Sequence, residues 1–268
     1  MTSLDGKIAI VTGAGRGLGR RAALRLAALG ADVALVARSA PQLQETAAAI
    51  AGMGRRAAVL PIDLARELSP DIIRGTVEGA VGRPDILVNA AGVSGPLALV
   101  RDGDPAAWIE TMTVNMVSHY VTCRALVGGM IDAGWGRIVN VSSAAALLPP
   151  GPIDSAYATS KAALNHFTRH LASELEGTGV TANVMHPGDV RTEMWADIRD
   201  SVAGLGPEAA PYRQWVDWVA ATGGDDPDKA ADLIAHLVSP EAAAINGQFL
   251  WIEDGIRPPT PSWPAGPA

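Results

Sequence analysis

Lys7–Gly19 reads KIAIVTGAGRGLG, a run rich in β-branched residues that ends in a glycine cluster. Beyond it Leu18, Ala22, Leu26 and Leu29 recur at helical spacing, and Gly30 closes the pattern as a C-cap glycine does. The order is strand, tight turn, helix. Glycines let the backbone turn sharply and approach a ligand closely, while the start of a helix presents unpaired N–H groups and a positive dipole end to a phosphate. Set between strand and helix, Thr12, Gly13, Gly15, Arg16, Gly17, Leu18 and Gly19 therefore make a candidate dinucleotide-binding turn.

The alternation continues down the chain. DVALVA, AAVLPI, DILVN, RIVNVS, VTANVM and GQFLWI are short apolar runs separated by helical patterns, which predicts a parallel sheet of about seven strands with helices on both faces. Two long helices are expected, from about Pro105 to Ala133 and from about Ser155 to Glu176, the second closed by Gly177–Gly179. Residues 192–224 break the rhythm and hold Met194, Trp195, Tyr212, Trp215 and Trp218 among glycines, prolines and acids. The segment reads either as a lid over a binding site or as two ordinary amphipathic surface helices. One domain over residues 1–256 is expected, followed by a Pro-rich tail over 257–268.

Composition narrows the partners. Apolar residues make up 48% and charged residues 18% of 268 positions, enough for a substantial core and unlike a disordered chain. The net charge of −7, with no run of Lys or Arg, lacks the positive footprint that nucleic acid requires. Cys123 stands alone, which removes an intramolecular disulfide or a multi-cysteine metal site and suits a reducing compartment. The opening MTSLDGKIAIVTGAG is unlike a signal peptide or membrane span, so a cytoplasmic location is expected, with no membrane partner. His166 and His170 lie four apart on one predicted helix, but no third ligand is evident and no metal site is expected.

SAYATSKAA, Ser155–Ala163, places Tyr157 and Lys161 one helical turn apart, with their polar ends on one face. Four further segments accompany that pair and the glycine turn. They are Asp63-Leu64, NAAG at Asn89–Gly92, the residues Asn115 and Ser143, and PGDVRT at Pro187–Thr192. Together with the spacing T-G-x-x-x-G-x-G, they resemble the short-chain dehydrogenase/reductase family in its single-domain form, from about Gly6 to Gly255. The resemblance implies a Rossmann-type doubly wound α/β fold and an NAD(P)-dependent enzyme acting on the carbonyl or secondary alcohol of a small molecule. It implies a catalytic tetrad of Asn115, Ser143, Tyr157 and Lys161, an adenine contact at Asp63 and Leu64, and a strand-stabilising motif with Asn89, Ala90 and Gly92 beside the cofactor. Pro187, Gly188, Val190 and Thr192 fall where the family contacts nicotinamide. By the same likeness Ser143 polarises the substrate oxygen, Lys161 holds the nicotinamide ribose, and Asn115 holds a water in a proton relay.

Two departures stand out. Ser143 to Tyr157 is one position longer than the family's usual spacing, which an extra residue in the loop LLPPGPIDS explains, with Ser142 as the alternative serine. Ala90 replaces the second asparagine of the usual motif. Cofactor choice turns on the end of the second strand, where an acid binds the ribose hydroxyls of NAD and a basic residue accepts the 2′-phosphate of NADP. Ala37 takes the acid's place, Arg38 and Ser39 follow it, and Arg16 adds a second positive charge, so NADP(H) is favoured with NAD(H) the alternative.

Hydride transfer to a carbonyl leaves an alkoxide that needs a proton. A free tyrosine, at about 10, is a weak base at neutral pH, so Lys161 is expected to lower the Tyr157 phenol, helped by an oxidised nicotinamide ring. Leu147, Leu148, Val93 and the Trp-bearing lid suggest an apolar substrate of small to medium size. The alternatives are an NAD-dependent alcohol dehydrogenase of the same family, or an isomerase or regulatory protein on the same fold. The resemblance also implies a homotetramer, or a dimer, joined through the two long helices and the last strand. The tail with Trp263 is then a candidate to reach a neighbouring subunit's pocket.

Overall fold

Each short apolar run folds as a strand. In the computed structural model, which describes residues 3–148, 151–252 and 255–257, these are β1 (Ile8–Thr12), β2 (Asp32–Ala37), β3 (Ala57–Pro61), β4 (Ile86–Asn89), β5 (Gly136–Val141), β6 (Val180–His186), β7 (Phe249–Trp251) and β8 (Gly255–Arg257). They pair in the order β3-β2-β1-β4-β5-β6-β7-β8, and β1 to β7 are all parallel. The expected seven-stranded parallel sheet is there. β8 adds an antiparallel edge, with Arg257 opposite Phe249, so the sheet extends one residue into the expected tail. Residues 258–268, including Trp263, lie outside the described residues, as do Pro149 and Pro150 of the loop before Tyr157.

Alternation along the strands divides the core between two faces. Ala9, Val11, Val33, Leu35, Ile86 and Val88 pack with Ala22 and Leu26 of α1 (Gly17–Ala28) and with Ile234 of α9 (Pro227–Leu237). The intervening Ile10, Ala34, Leu87 and Ile138 pack on the other face. There they meet Ile73 and Val77 of α3 (Pro70–Val81), Leu126 of α5 (Ser118–Asp132) and Leu171 of α6 (Ser155–Glu174). Full burial of one such Leu, Ile or Val contributes about 1.5–3 kcal/mol. α2 (Ala40–Ala51) covers the first face beside α1, with Leu43 and Ile50 fully buried in the same cluster.

The long helix expected to start at Pro105 is interrupted. α4 (Pro105–Met112) passes into α5 through a wider turn over Thr113–Val117 with π-helical hydrogen bonding, the kind of insertion often found at functional sites. Asn115 sits in that turn and clamps Val93, whose N–H donates to Oδ1 and whose carbonyl accepts from Nδ2, both at 2.9 Å. Residues 192–224 form α7 (Glu193–Val202), a short turn and α8 (Ala210–Thr222). The two readings of that segment merge, because these amphipathic helices share a third cluster, with Trp195, Ile198, Val202, Val216, Val219 and Ile153, and also roof the cavity described below.

A buried polar seam joins strands to helices on the second face. The Asn89 Nδ2 donates to Asn140 Oδ1 at 2.9 Å, the Thr122 hydroxyl donates to Asn89 Oδ1 at 2.8 Å, and Asn140 Nδ2 donates to the Thr168 hydroxyl at 2.8 Å. All four side chains are buried, so the ties fix β4 and β5 against α5 and α6 in a place where an unpaired amide is costly. Substituting Asn89→Ala takes away the donor to Asn140 Oδ1 and leaves a cavity, while the Thr122 hydroxyl keeps the Ser118 and His119 carbonyls at 3.0 Å. The substitution should lower the unfolding free energy by about 2–3 kcal/mol, read as a lower urea midpoint at unchanged slope.

Candidate active site

At β1 and β4 the strand order reverses, and in doubly wound sheets a crevice opens beyond the strand ends at such a point. Thr12 fixes its geometry: the fully buried hydroxyl accepts the N–H groups of Ala90 and Ala91, each at 3.1 Å. A cavity of about 770 Å³ follows the crevice from the end of β2 to the lid helices.

The cofactor end is built from backbone and cations. The α1 N-cap, Arg16, makes no side-chain cap bond and the first turn has no acid, whereas α2 is capped by Ser39 accepting from the Gln42 N–H. A Cβ on Gly19 would stand 2.3 Å from the Gly13 carbonyl oxygen, and one on Gly13, where φ is +68°, would stand 3.0 Å from the Ala90 oxygen. The turn is therefore a cradle that side chains would fill. Gly13, Gly15, Arg16, Gly17, Leu18 and Gly19 line it, with Arg38 and Ser39 at its outer end beside Asp63 and Leu64. Arg16 and Arg38 are exposed and form no ion pair among the described residues. Free N–H groups and two unpaired guanidinium groups suit a phosphorylated dinucleotide.

The opposite end is built from β5, α6 and the segment after β6. Ser143, just past β5, bonds the Tyr157 side chain and also accepts the Ala145 N–H at 3.2 Å, while the buried Ser142 gives its proton to Asn165 Oδ1 at 2.6 Å. The longer loop therefore leaves Ser143 facing the tyrosine. Lys161 is 4% exposed, donates to the Val141 carbonyl at 2.9 Å, and lies 5.7 Å from the centre of the Tyr157 ring. Ala90, Gly92, Pro187, Gly188, Val190 and Thr192 also line the cavity.

The electrostatics correct one expectation. Burial pushes the Tyr157 phenol up, the Ser143 bond opposes this, and Asp154 and Asp189 push it up further. The lysine does not reverse the sign. At 5.7 Å, with its Nζ already given to Val141, it does not outweigh desolvation. Burial instead brings the Lys161 ammonium down to about 8.

Three predicted residues stand behind the cavity wall. Thr12 holds Ala90 and Ala91, Asn89 belongs to the buried seam, and the Asn115 side chain is occupied by Val93 and by the Ser160 hydroxyl at 3.1 Å. Other residues outside the predicted site set, among them Tyr212 and Trp195 already named in the candidate lid, reach the cavity. His186 lines it and accepts the Ala144 N–H on Nδ1 at 3.1 Å, which steadies the turn after Ser143. Asp154, Tyr212 and Trp195 line the substrate end. The acid three residues before Tyr157 was visible in the sequence, but nothing there showed that the lid would close on it. His166 and His170 meet Nε2 to Nε2 at 3.2 Å on the outer side of α6, and no cluster of three metal-ligating side chains occurs among the described residues.

Fold and site together define a dinucleotide-dependent enzyme of the doubly wound α/β class, with Ser143, Tyr157 and Lys161 gathered on one wall of its cavity. The comparisons assign the family: residues 7–203 match the family model described as short chain dehydrogenase. A short chain dehydrogenase of Pseudocercospora fijiensis is 35% identical over 259 residues, covering 95% of this chain and 82% of that protein. A solved actinorhodin polyketide ketoreductase variant with NADPH superposes with a TM-score of 0.82 at 29% identity, covering 94% of this chain and 97% of the other. NAD+-bound xylitol dehydrogenase does so with a TM-score of 0.82 at 27% identity, covering 92% and 98%. The chain belongs to the short-chain dehydrogenase/reductase family and is an NAD(P)-dependent oxidoreductase.

The lysine shift carries a pH signature. The unfolded chain keeps the Lys161 proton to the ordinary 10.5, whereas the folded chain releases it at about 8. Between those values the unfolded state binds more protons, so the unfolding free energy rises with pH. Lys161→Met should flatten that rise, seen as urea midpoints at about pH 8 and about pH 9.5 that lie closer together than those of the wild type.

Proposed function

We propose that the chain transfers hydride between NADP(H) and the carbonyl or secondary alcohol of a small to medium, largely apolar molecule. The observation that carries this reading is the meeting of Ser143, Tyr157 and Lys161 on one wall of the cavity whose other end is the glycine cradle. When bound, the nicotinamide supplies or accepts the hydride. The Ser143 hydroxyl donates to the substrate oxygen and holds it beside the Tyr157 phenol, which gives that oxygen its proton in reduction and takes it back in oxidation. Lys161 returns the proton to the phenol and orients the nicotinamide ribose, with the Asn115 turn behind it as the place of the relay water.

Arg38 and Arg16 support NADP over NAD, since no acid ends β2 and neither cation forms an ion pair among the described residues. Leu97, Leu148, Ile198, Met194 and Trp215 support an apolar substrate body. Exposed Ile109 and Tyr120 on the long helices support association of subunits there, as a homotetramer. No helix among the described residues is long and apolar enough to cross a membrane, and a cytoplasmic location is part of the same proposal.

A panel of ketones and aldehydes with NADPH, followed by absorbance, tests the reading. Tyr157→Phe removes the transferable proton and should cut kcat/KM by about a thousandfold or more, with the NADPH dissociation constant within about threefold of the wild type. Full activity in that variant would sink the mechanism. For the cofactor, the wild type should bind NADPH about tenfold or more tightly than NADH, and Arg38→Asp should reverse the order; tighter NADH binding by the wild type removes the preference.

A further inference from the structure

Asp154 occupies the N-cap of α6, where an aspartate ordinarily accepts the free N–H groups of the first turn, yet its side chain makes no cap bond. The carboxylate is used elsewhere. Oδ2 accepts the phenol O–H of Tyr212, reaching down from α8, at 2.5 Å, while Oδ1 has no hydrogen-bond partner. With the residue only 5% exposed, a carboxylate oxygen left without a donor is costly unless something that binds supplies one. Gly151 packs against it: an added Cβ there would lie 3.9 Å from Oδ1 and 3.9 Å from the Tyr212 ring, ordinary contact distances, so the glycine itself offers Oδ1 no donor. Gly151, Asp154, Tyr157 and Tyr212 all line the cavity. A second orphan shares this end, the Trp195 indole N–H, in a wall that is otherwise mostly apolar.

We propose that Asp154 determines substrate specificity by accepting a hydrogen bond from a substrate hydroxyl carried on the carbon next to the reacting one. Asp154 and Tyr157 are three residues apart at the head of one helix, so the carboxylate and the phenol are neighbours across a single turn. A carbonyl oxygen held by Ser143 and Tyr157 thus places an adjacent hydroxyl within reach of Oδ1. The substrate class is the α-hydroxy ketones and, in the reverse direction, the vicinal diols, with their apolar remainder against Leu97, Ile198 and Trp215. In reduction the carbonyl carbon gains the hydride and its oxygen gains the tyrosine proton, while the hydroxyl at Asp154 is unchanged. This names the substrate class for the oxidoreductase reading above and rests on it.

The test is a matched pair, 2-hydroxyacetophenone and acetophenone, each assayed for kcat/KM with NADPH and with NADH. The wild type should prefer the hydroxy ketone by about tenfold or more, and Asp154→Ala should bring the ratio to within about twofold of unity. NADPH binding, read by fluorescence, reports whether the variant is folded, and if Asp154→Ala is not, Asp154→Val is judged by the same ratio. Equal use of both ketones by the wild type, or a full preference kept by the folded variant, overturns the assignment and leaves the oxidoreductase reading standing. No oxidation of either nucleotide with any ketone overturns both.

Discussion

One hydroxyl holds the crevice in shape. Thr12 Oγ1 accepts two successive N–H groups, from Ala90 and Ala91, and so binds the segment leaving β4 to the end of β1. That segment runs on to Gly92, where an added Cβ would lie 3.4 Å from Asn115 Oδ1 and 3.7 Å from Lys161 Nζ. The same few residues therefore touch the glycine cradle on one side and Lys161 on the other. A parallel sheet leaves the backbone groups at its strand ends unpaired unless a side chain meets them, and Thr12 and Asn115 do so here. Order at the strand ends becomes order between the two halves of the site.

Desolvation governs the charges inside. It raises the Tyr157 phenol and lowers the Lys161 ammonium to about 8, so burial disfavours the charged form of each group. His119 follows the same rule. Fully buried beside this centre and bonded through Nε2 to the Ala91 carbonyl, it is lowered to about 3 by burial first and by the Lys161 charge second. It stays a neutral ring against the segment that Thr12 holds. A site of this kind favours proton exchange over fixed charge, which suits a reaction that moves one hydride and one proton.

The lid has its own core. Trp195, Ile198, Val202, Val216 and Val219 form a cluster apart from the two on the faces of the sheet, and Tyr212 to Asp154 is its polar tie to the head of α6. The far end of the cavity is thereby roofed by an element whose packing is separable from that of the glycine cradle. Variation in the lid can change what is bound while the cradle and the Ser143, Tyr157 and Lys161 centre stay in place.

Much of this was written in local pattern. The turn at Gly13–Gly19, the alternation of strands and helices, and the four-residue spacing of Tyr157 and Lys161 depend on neighbours along the chain, so the sequence alone determined the sheet, the cradle and the pairing of Tyr157 with Lys161 on one helix. Periodicity could not reveal the wider turn at Asn115, whose side-chain bonds run to Val93, twenty-two positions away. Nor could it show that Thr12, Asn89 and Asn115 stand behind the wall, or that burial would raise the Tyr157 phenol. Those facts, with the closure of Tyr212 onto Asp154 across fifty-eight positions, were decided only by the tertiary structure. Desolvation and long-range hydrogen bonds depend on what the fold brings together in space, and no spacing along the chain encodes it.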